Sequence, residues 1–330
     1  MTINKTPWQG LLVYLEINGE NLTPLSLEIA AKAFQMAAAS GQEVFGLVIQ
    51  DGAEEGDYKT SLNGLPFKRL LVYRLEDSVG FQAKAAAEAL IDAAELLRPS
   101  VVLIGATDRG KDIAPYGAAR LAAGLTADCT GLDIIEGGLL LQTRPAFGGN
   151  VMADIITPEA RPQFATVRAG ALRAPLPITG DPLDMEMRPF PLPVEQIGGM
   201  IRRRGRLPTE VSIVEARLIV AVGCGLKTAA DLELVRRAAG SLGAALASTR
   251  GLVERGWMPP ESQIGLSGHS VSPELLITLG VSGSVQFMAG IGGARRIIAV
   301  NTDPEARIFS AAHLGLVADL YEVLPKLFND

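Results

Sequence analysis

Short apolar runs that stop at glycine or a small polar residue constrain this chain more than any other feature. In the last third there are five: Arg217–Val222, Ala244–Ala247, Leu275–Val281, Ile297–Val300 and Leu316–Ala318. Read as strands of an open α/β sheet, they would collect ligand-binding loops at their carboxyl ends. Those stops offer Thr249 and Arg250, Ser267 beside Gly268, the run Ser282-Gly283-Ser284-Val285-Gln286, Asn301 and Asp319. The set holds one cation, one acid and many neutral hydrogen-bonding groups. With no catalytic triad and no metal-ligand cluster in it, no catalytic or metal-binding residue is assigned. It suits gripping a large, polar, dianionic cofactor better than breaking bonds.

The first half alternates strand and helix patterns. Strands are expected at Gly10–Ile17, Val44–Ile49, Lys68–Tyr73 and Ser100–Gly105, with Ala-rich helices over Asn21–Ser40 and Gly80–Leu97. Gly41 and Pro99 supply helix stops. Such alternation predicts a parallel sheet with right-handed crossovers. A chain of 330 residues, 48% apolar and 5% aromatic, is long enough for two such domains. The seven prolines between Pro175 and Pro208 stiffen a connector, and the domain boundary is expected near Leu207.

Charge and cysteine content exclude several classes. A net charge of −6 argues against a nucleic-acid partner; the one basic run, Arg202–Arg206, reads as a solvated linker or subunit contact. Two cysteines, Cys129 and Cys224, are too few for an iron–sulfur cluster, which needs about four thiolates. No apolar run approaches the roughly 18–20 residues that cross a bilayer, and the start, MTINKTPWQG, lacks a signal core. A cytoplasmic protein without direct membrane insertion is expected.

Three motifs need weighing. Gly105-Ala106-Thr107-Asp108-Arg109-Gly110-Lys111-Asp112 has Walker-like spacing before a helix expected at Ala114–Ala123, but Asp112 stands where a hydroxyl should hold magnesium. A structural turn is preferred to a phosphate site. Residues 139–172 form a β-rich excursion in which Arg144 and Arg161 are taken to reach a partner subunit. Gly223-Cys224-Gly225 follows a strand but lacks the third glycine of a dinucleotide fingerprint; Thr228 and Asp231 then read as a capping box for a helix to Ala239. Ser272-Pro273-Glu274 and Asp303-Pro304-Glu305 predict two further helix starts.

Five C-terminal words, STRGLVERGW, QIGLSG, SPELLITLGVSGSVQ, AVNTDPEARIF and GLVADLYEVLP, resemble in order and spacing the alpha (large) subunit of electron transfer flavoproteins. The resemblance extends to LLVYLEINGENLTPLSLE, GATDRGKDIAPYGAARLAAGLTADCTGLDI and RPAFGGNVMADIITPEARPQFATVRAG, so it spans nearly the whole chain. It implies two doubly wound parallel-sheet α/β domains. Residues 1–207 would be a nucleotide-hydrolase-like scaffold that faces the beta subunit. Residues 208–330 would be a Rossmann-like domain holding one FAD. The beta subunit would carry AMP or a second FAD. Electrons would pass singly from an acyl-CoA dehydrogenase type flavoenzyme, as in fatty acid β-oxidation, to a membrane quinone reductase or another acceptor, and the complex could also bifurcate electrons. Two rivals stay open: an NAD(P)-dependent dehydrogenase subunit, and a non-catalytic nucleotide-sensing module.

By the same resemblance, Arg250 lies beside the flavin ring, where a cation raises the potential of the first electron, and Thr249 before it belongs to the cofactor-binding set. Arg250 also reads as an ion-pair partner for Glu254 at i+4. Gln263, Ile264, Gly265, Leu266, Ser267 and Gly268 form a loop in which the Ser267 hydroxyl reaches the flavin near N5; as plain chemistry Ser267 is also a turn residue. Gly265 and Gly268 are expected to let backbone pass close to the cofactor. Ser282, Gly283, Ser284, Val285 and Gln286 surround the ribityl chain and pyrophosphate. Asn301, Asp319 and Leu320 hold the adenosine end, although Asn301 also suits a strand-end turn and Asp319 a helix N-cap. Three positions depart from the family: Phe287 for a histidine that donates to flavin O2, Cys224 for an arginine, Leu266 for a glutamine. Losing one charge-assisted donor costs about 1.5–3 kcal/mol, or about 60–130 mV for a one-electron couple. His269 replaces a family lysine and reads equally as a phosphate contact or a solvated loop residue.

Overall fold

The computed structural model describes residues 7–18, 21–50, 58–75, 82–146, 151–172, 174–178, 183, 185–192, 212–214 and 216–327. The chain divides into two compact units, Met1–Pro145 with Met152–Gly205, and Ala146–Val151 with Arg206–Asp330. The boundary expected near Leu207 and the basic run Arg202–Arg206 lie outside the described residues.

The first unit is built on β1 (Leu11–Leu15), with a small hairpin of β2 (Ile17–Asn18) and β3 (Asn21–Leu22) after it, then β4 (Val44–Gln50), β5 (Arg69–Arg74), β6 (Val101–Gly105), β7 (Leu125–Cys129), β8 (Gly131–Ile135), β9 (Leu139–Ala146), β10 (Val151–Ile155), β11 (Gln163–Val167) and β12 (Met185–Arg188). Seven of these form one sheet in the order β12-β5-β4-β1-β6-β11-β7, and every neighbouring pair is parallel. Helices α1 (Pro24–Ser40), α2 (Tyr58–Leu62), α3 (Ala83–Leu97) and α4 (Asp108–Arg120) complete it. Side chains alternate across a strand, and β1 shows the consequence. Leu11, Val13 and Leu15 join Ile29, Ala30 and Ala33 of α1 in one core; Leu12 and Tyr14 join Leu90 of α3 and Ile113 of α4 in the other. Both faces are covered, which is why the strands read as unbroken apolar runs.

Local chemistry sets the helix ends. Thr23 caps α1, accepting from the Ser26 amide at 3.2 Å, with Pro24 in the first turn, and Gly41 ends it at φ 66°. The helix expected at Ala114–Ala123 instead begins at Asp108, because Thr107 already accepts the Gly110 amide at 3.0 Å. Gly110, Lys111 and Asp112 are therefore helical, and no glycine loop cradles a phosphate there. The ends of β1 and β6 mark the point where strand order reverses, the usual ligand crevice. Here Thr107 Oγ1 donates to the Glu16 carboxylate at 2.6 Å, so a protein anion stands at this helix start.

Residues 139–172 are only partly an excursion. β8 and β9 pair antiparallel, but β11, from the RPQFATV segment, returns to the main sheet between β6 and β7. Arg161 turns inward on its own loop, donating to the carbonyls of Thr157, Pro158 and Ala160 at 3.1, 3.3 and 2.9 Å.

The second unit has β13 (Leu218–Val222), β14 (Ala245–Ser248), β15 (Leu275–Leu279), β16 (Ile297–Asn301) and β17 (Leu314–Val317), all parallel in the order β14-β13-β15-β16-β17. Its helices are α5 (Leu232–Ser241), α6 (Arg250–Glu254), α7 (Val285–Gly290) and α8 (Leu320–Val323). Ile219 and Ala221 face a core with Phe287 and Ile291; Val220 and Val222 face another with Val235 and Leu252. The order reverses between β13 and β15. No helix starts at Ser272-Pro273-Glu274, because the Leu275 run pairs with β13 two residues after the proline. Asp303 instead caps a turn through the Glu305 amide at 2.9 Å, followed by a short 3-10 segment, Arg307–Ser310.

Among the described residues no helix is long and apolar enough to cross a membrane. The α4 start gives a stability test. A Cβ on Gly110 would lie 1.9 Å from the Gly105 carbonyl oxygen, so Gly110→Ala should lower unfolding free energy by about 1–3 kcal/mol or more. Urea denaturation reads this, and an unchanged midpoint would contradict the packing described.

Candidate functional site

At the carboxyl ends of β13 and β15 the second unit opens into a cleft of about 440 Å³, within the about 300–1,000 Å³ typical of small-molecule sites. Three loops build it. The first follows β13 and carries Cys224 and Gly225; the second runs from Thr249 through Arg250 and Gly251; the third is Gln263–Ser267. Gly280, Val281, Ser282, Ser284, Gln286 and Phe287 close one side, and Asn301 at the end of β16 closes the floor.

Close backbone contact shapes the opening. A Cβ on Gly225 would meet the Gly280 Cα at 2.7 Å, and the Gly225 amide donates to the Gly280 carbonyl at 3.0 Å. Gly265 sits at φ 138°, with Gln286 O only 2.9 Å from where its Cβ would be. A Cβ on Gly268 would meet Gln263 O at 2.3 Å. The glycines of QIGLSG are thus required by the protein's own backbone.

Thirteen of the positions singled out in the sequence line this cleft: Cys224, Thr249, Arg250, Gln263, Ile264, Gly265, Leu266, Ser267, Ser282, Ser284, Gln286, Phe287 and Asn301. Gly268, Gly283, Val285, Asp319 and Leu320 stand outside the lining. Gly283, at φ 79°, packs on the Ile308 backbone. Leu320 is buried in the core. Asp319 caps α8 through the Tyr321 amide at 2.9 Å and lies 3.7 Å from Lys227 Nζ. The lining residues not assigned to the ligand from the sequence are Gly225, Gly251, Gly280 and Val281; Gly225 was weighed only within an incomplete dinucleotide fingerprint, and for the others a place at a strand end was the signal.

The polar groups divide by occupation. Asn301 spends its amide on the fold, donating to Val281 O at 2.7 Å and accepting from the Asp303 amide at 3.0 Å. Ser284 caps α7 through the Phe287 amide at 3.3 Å. Arg250 pairs with Glu254 at 2.7 Å, both side chains being exposed, a contact worth only a few tenths of a kcal/mol. Thr249 Oγ1, in contrast, is buried with no hydrogen-bond partner among the described residues. A buried hydroxyl left so is costly unless something else satisfies it. His269 and His313 stand outside the lining; His313 Nδ1 accepts the Ile297 amide at 3.1 Å at the other end of β16.

Beside the β13 turn, the Tyr321 hydroxyl donates to Asp231 at 2.6 Å and accepts the Lys227 amide at 2.8 Å. The hydrogen bond from Tyr321 is the main cause that holds the Asp231 carboxyl below its usual range. Asp231 also accepts the Thr228 amide at 2.9 Å, so the capping residue ties the loop below Cys224 to α8.

Comparison with known proteins gives this geometry a family. The model for the electron transfer flavoprotein domain matches residues 11–191, and that for the electron transfer flavoprotein FAD-binding domain matches residues 212–292. The chain belongs to the electron transfer flavoprotein family. It is 34% identical to the electron transfer flavoprotein subunit alpha of Thermoanaerobacterium thermosaccharolyticum, over 98% of each chain. It is 40% identical to the lactate dehydrogenase (NAD(+),ferredoxin) subunit LctC of Acetobacterium woodii, covering all of this chain and 78% of that one. Protein FixB of Rhizobium meliloti is 33% identical over 97% of this chain and 92% of its own. An electron-transfer role on the alpha-subunit side follows, and the FAD-binding domain match falls on the unit that carries the cleft.

Within this electron transfer flavoprotein chain the departures from pattern have local consequences. Phe287 is 3% exposed and packs with Ile264 and Ile291, so its ring presents no donor to the cleft. Cys224 is an exposed free thiol whose Sγ lies 2.5 Å from where a Gly251 Cβ would be. Cys129 is buried in the first unit, where burial pushes its thiol up to about 12. Since the thiolate is the reactive form, one thiol per native chain should react with a disulfide reagent at pH 8, and Cys224→Ser should abolish that reaction. Two fast thiols, or none, would contradict these placements.

Proposed function

We propose that this chain is the FAD-binding large subunit of a heterodimeric electron transfer flavoprotein and that the cleft at the β13/β15 reversal holds the FAD. The observation that carries the reading is the cleft itself, assembled from the STR, QIGLSG and VSGSVQ segments at the carboxyl ends of parallel strands. The residues present fit the group. The Thr249 hydroxyl, without a partner among the described residues, the Ser267, Ser282 and Gln286 side chains, and Arg250, the one cation of the lining among the described residues, match a polar dianionic ligand. Among the described residues the lining holds no His, Tyr, Lys, Asp or Glu, so it lacks the His or Tyr–Lys proton relay that the dehydrogenase reading calls for.

FAD, when bound, supplies the one-electron chemistry; the protein sets its potential and access. Arg250 brings positive charge to the rim beside its Glu254 partner, and a cation turned toward the ligand favours added electrons. Thr249 and Ser267 offer hydrogen bonds, while the buried Phe287 ring and Ile264 exclude water from one side. The beta subunit, which carries AMP or a second FAD, completes the carrier in the cytoplasm. Electrons come from an acyl-CoA dehydrogenase type flavoenzyme and leave to a quinone reductase or another acceptor. A second reading is favoured by the relative named for NAD(+) and ferredoxin, LctC: the same chain in an electron-bifurcating complex, with the beta-subunit cofactor deciding between the two.

Co-purification with the beta subunit should give a yellow protein with a flavin absorption spectrum, reduced in one-electron steps. Phe287→His should raise the first potential by about 60–130 mV, the worth of one charge-assisted donor. A colourless heterodimer would contradict the FAD reading, and an unchanged potential in Phe287→His would contradict the role of that position.

A further inference from the structure

The loop after β13 is fastened at three places, and the third fastening comes from a distant part of the chain. The Gly223 amide donates to Leu279 O at 2.9 Å and the Gly225 amide to Gly280 O at 3.0 Å. Two residues on, the Lys227 amide donates to the hydroxyl of Tyr321 at 2.8 Å, a residue of α8 that stands 94 positions later. Between these anchors the Cys224 amide donates to no acceptor among the described residues. Cys224 and Gly225 both line the cleft.

Both bonds of the Tyr321 hydroxyl have a fixed direction. A backbone N–H can only donate, and an ionised carboxylate can only accept. The hydroxyl therefore accepts from Lys227 and gives its own proton to Asp231, at 2.6 Å. Asp231 also accepts the Thr228 amide at 2.9 Å, so one hydroxyl gathers the loop from Lys227 to the start of α5. The start of α8 lies against the cleft as well. The Leu320 side chain comes within 2.9 Å of where a Gly280 Cβ would be, and the Ala318 amide donates to Asn301 O at 3.1 Å. Asp319 stands between those two residues, with Lys227 Nζ 3.7 Å from its carboxylate and 4.5 Å from the centre of the Tyr321 ring.

We propose that Tyr321 is a positioning residue whose hydroxyl locks the β13 loop to the start of α8, so that the Cys224 amide and the Asp319 carboxylate meet the adenosine half of the bound dinucleotide at a fixed separation. The inference rests on the FAD reading above and adds the group that holds the far end of the ligand. The adenosine half keeps its charge when the flavin is reduced, so oxidised and reduced FAD depend on this lock equally. Tyr321 therefore governs how tightly FAD is held and leaves its potential alone.

Two readings on the heterodimer with the beta subunit test it: the affinity for FAD and the first-electron potential of the bound flavin. Tyr321→Phe removes the hydroxyl and keeps the ring. FAD should then bind the flavin-free heterodimer about tenfold more weakly, as for the loss of one hydrogen bond to a charged group. The potential should stay where it is; a tenfold loss confined to one redox state would move it by about 59 mV. Asp231→Ala, which removes the other end of the bond, should weaken FAD to a similar extent, and the two changes together should cost little more than either alone. Melting of each variant with the flavin removed checks that the unit still folds. Unchanged FAD affinity in Tyr321→Phe, a potential that shifts with the affinity, or fully additive losses would each overturn the proposal. A Tyr321→Phe heterodimer that no longer folds without flavin would overturn it too, because the hydroxyl would then hold the fold and not the ligand. A wild-type heterodimer without flavin would instead overturn the FAD reading beneath it.

Discussion

The contact on which the second unit depends is the approach of two turns at the carboxyl edge of its sheet. The turn after β13 and the turn after β15 touch backbone to backbone at Gly225 and Gly280. No side chain fits between them, so the reversal of strand order opens outward into a cleft lined by the ends of four strands and the loops that follow them. Parallel pairing from β14 through β17 holds those ends at one level. The polar groups of the site inherit their places from that edge.

The chain contains two sheets with a reversal of strand order, and their chemistry differs. In the first unit Glu16 and Thr107 bond to each other at the reversal, and the glycine of the Walker-like word is buried in the first turn of α4 against the Gly105 carbonyl. An acid in that position repels phosphate. In the second unit the corresponding crevice carries a cation, several hydroxyls and no carboxylate in its lining. Among the described residues the two crevices thus differ in the charge they present. The match of the FAD-binding family to residues 212–292 falls on the unit whose crevice carries the cation.

Much of this was legible in the residues. The apolar runs found β1, β4–β6 and β13–β17 to within a residue or two, because most of these strands are buried on both faces and so are apolar throughout; β17 is apolar but exposed. The ends of those runs marked most of the cleft, because ligands of such sheets meet strand ends. The errors have physical causes. Ser272-Pro273-Glu274 carries helix-start chemistry, but the adjacent Leu275 run is claimed by β13. The strand β11 hid in a segment read as an excursion, since nothing local says that Phe164 returns between β6 and β7. Asp319 and Asn301, assigned to the ligand in the sequence, also hold turns of their own, the second role that their residue types allowed. The bonding state of a side chain depends on neighbours distant in sequence, and no spacing reveals it. The bond from Tyr321 to Asp231 is of the same kind.

Amide hydrogen exchange with and without FAD, on the chain together with its beta subunit, tests the central claim most directly. The account predicts slower exchange on FAD binding in the segments around residues 224–226, 249–251, 263–268 and 280–287, and none around residues 105–112. Protection at 105–112 with the second-unit loops unchanged would contradict it.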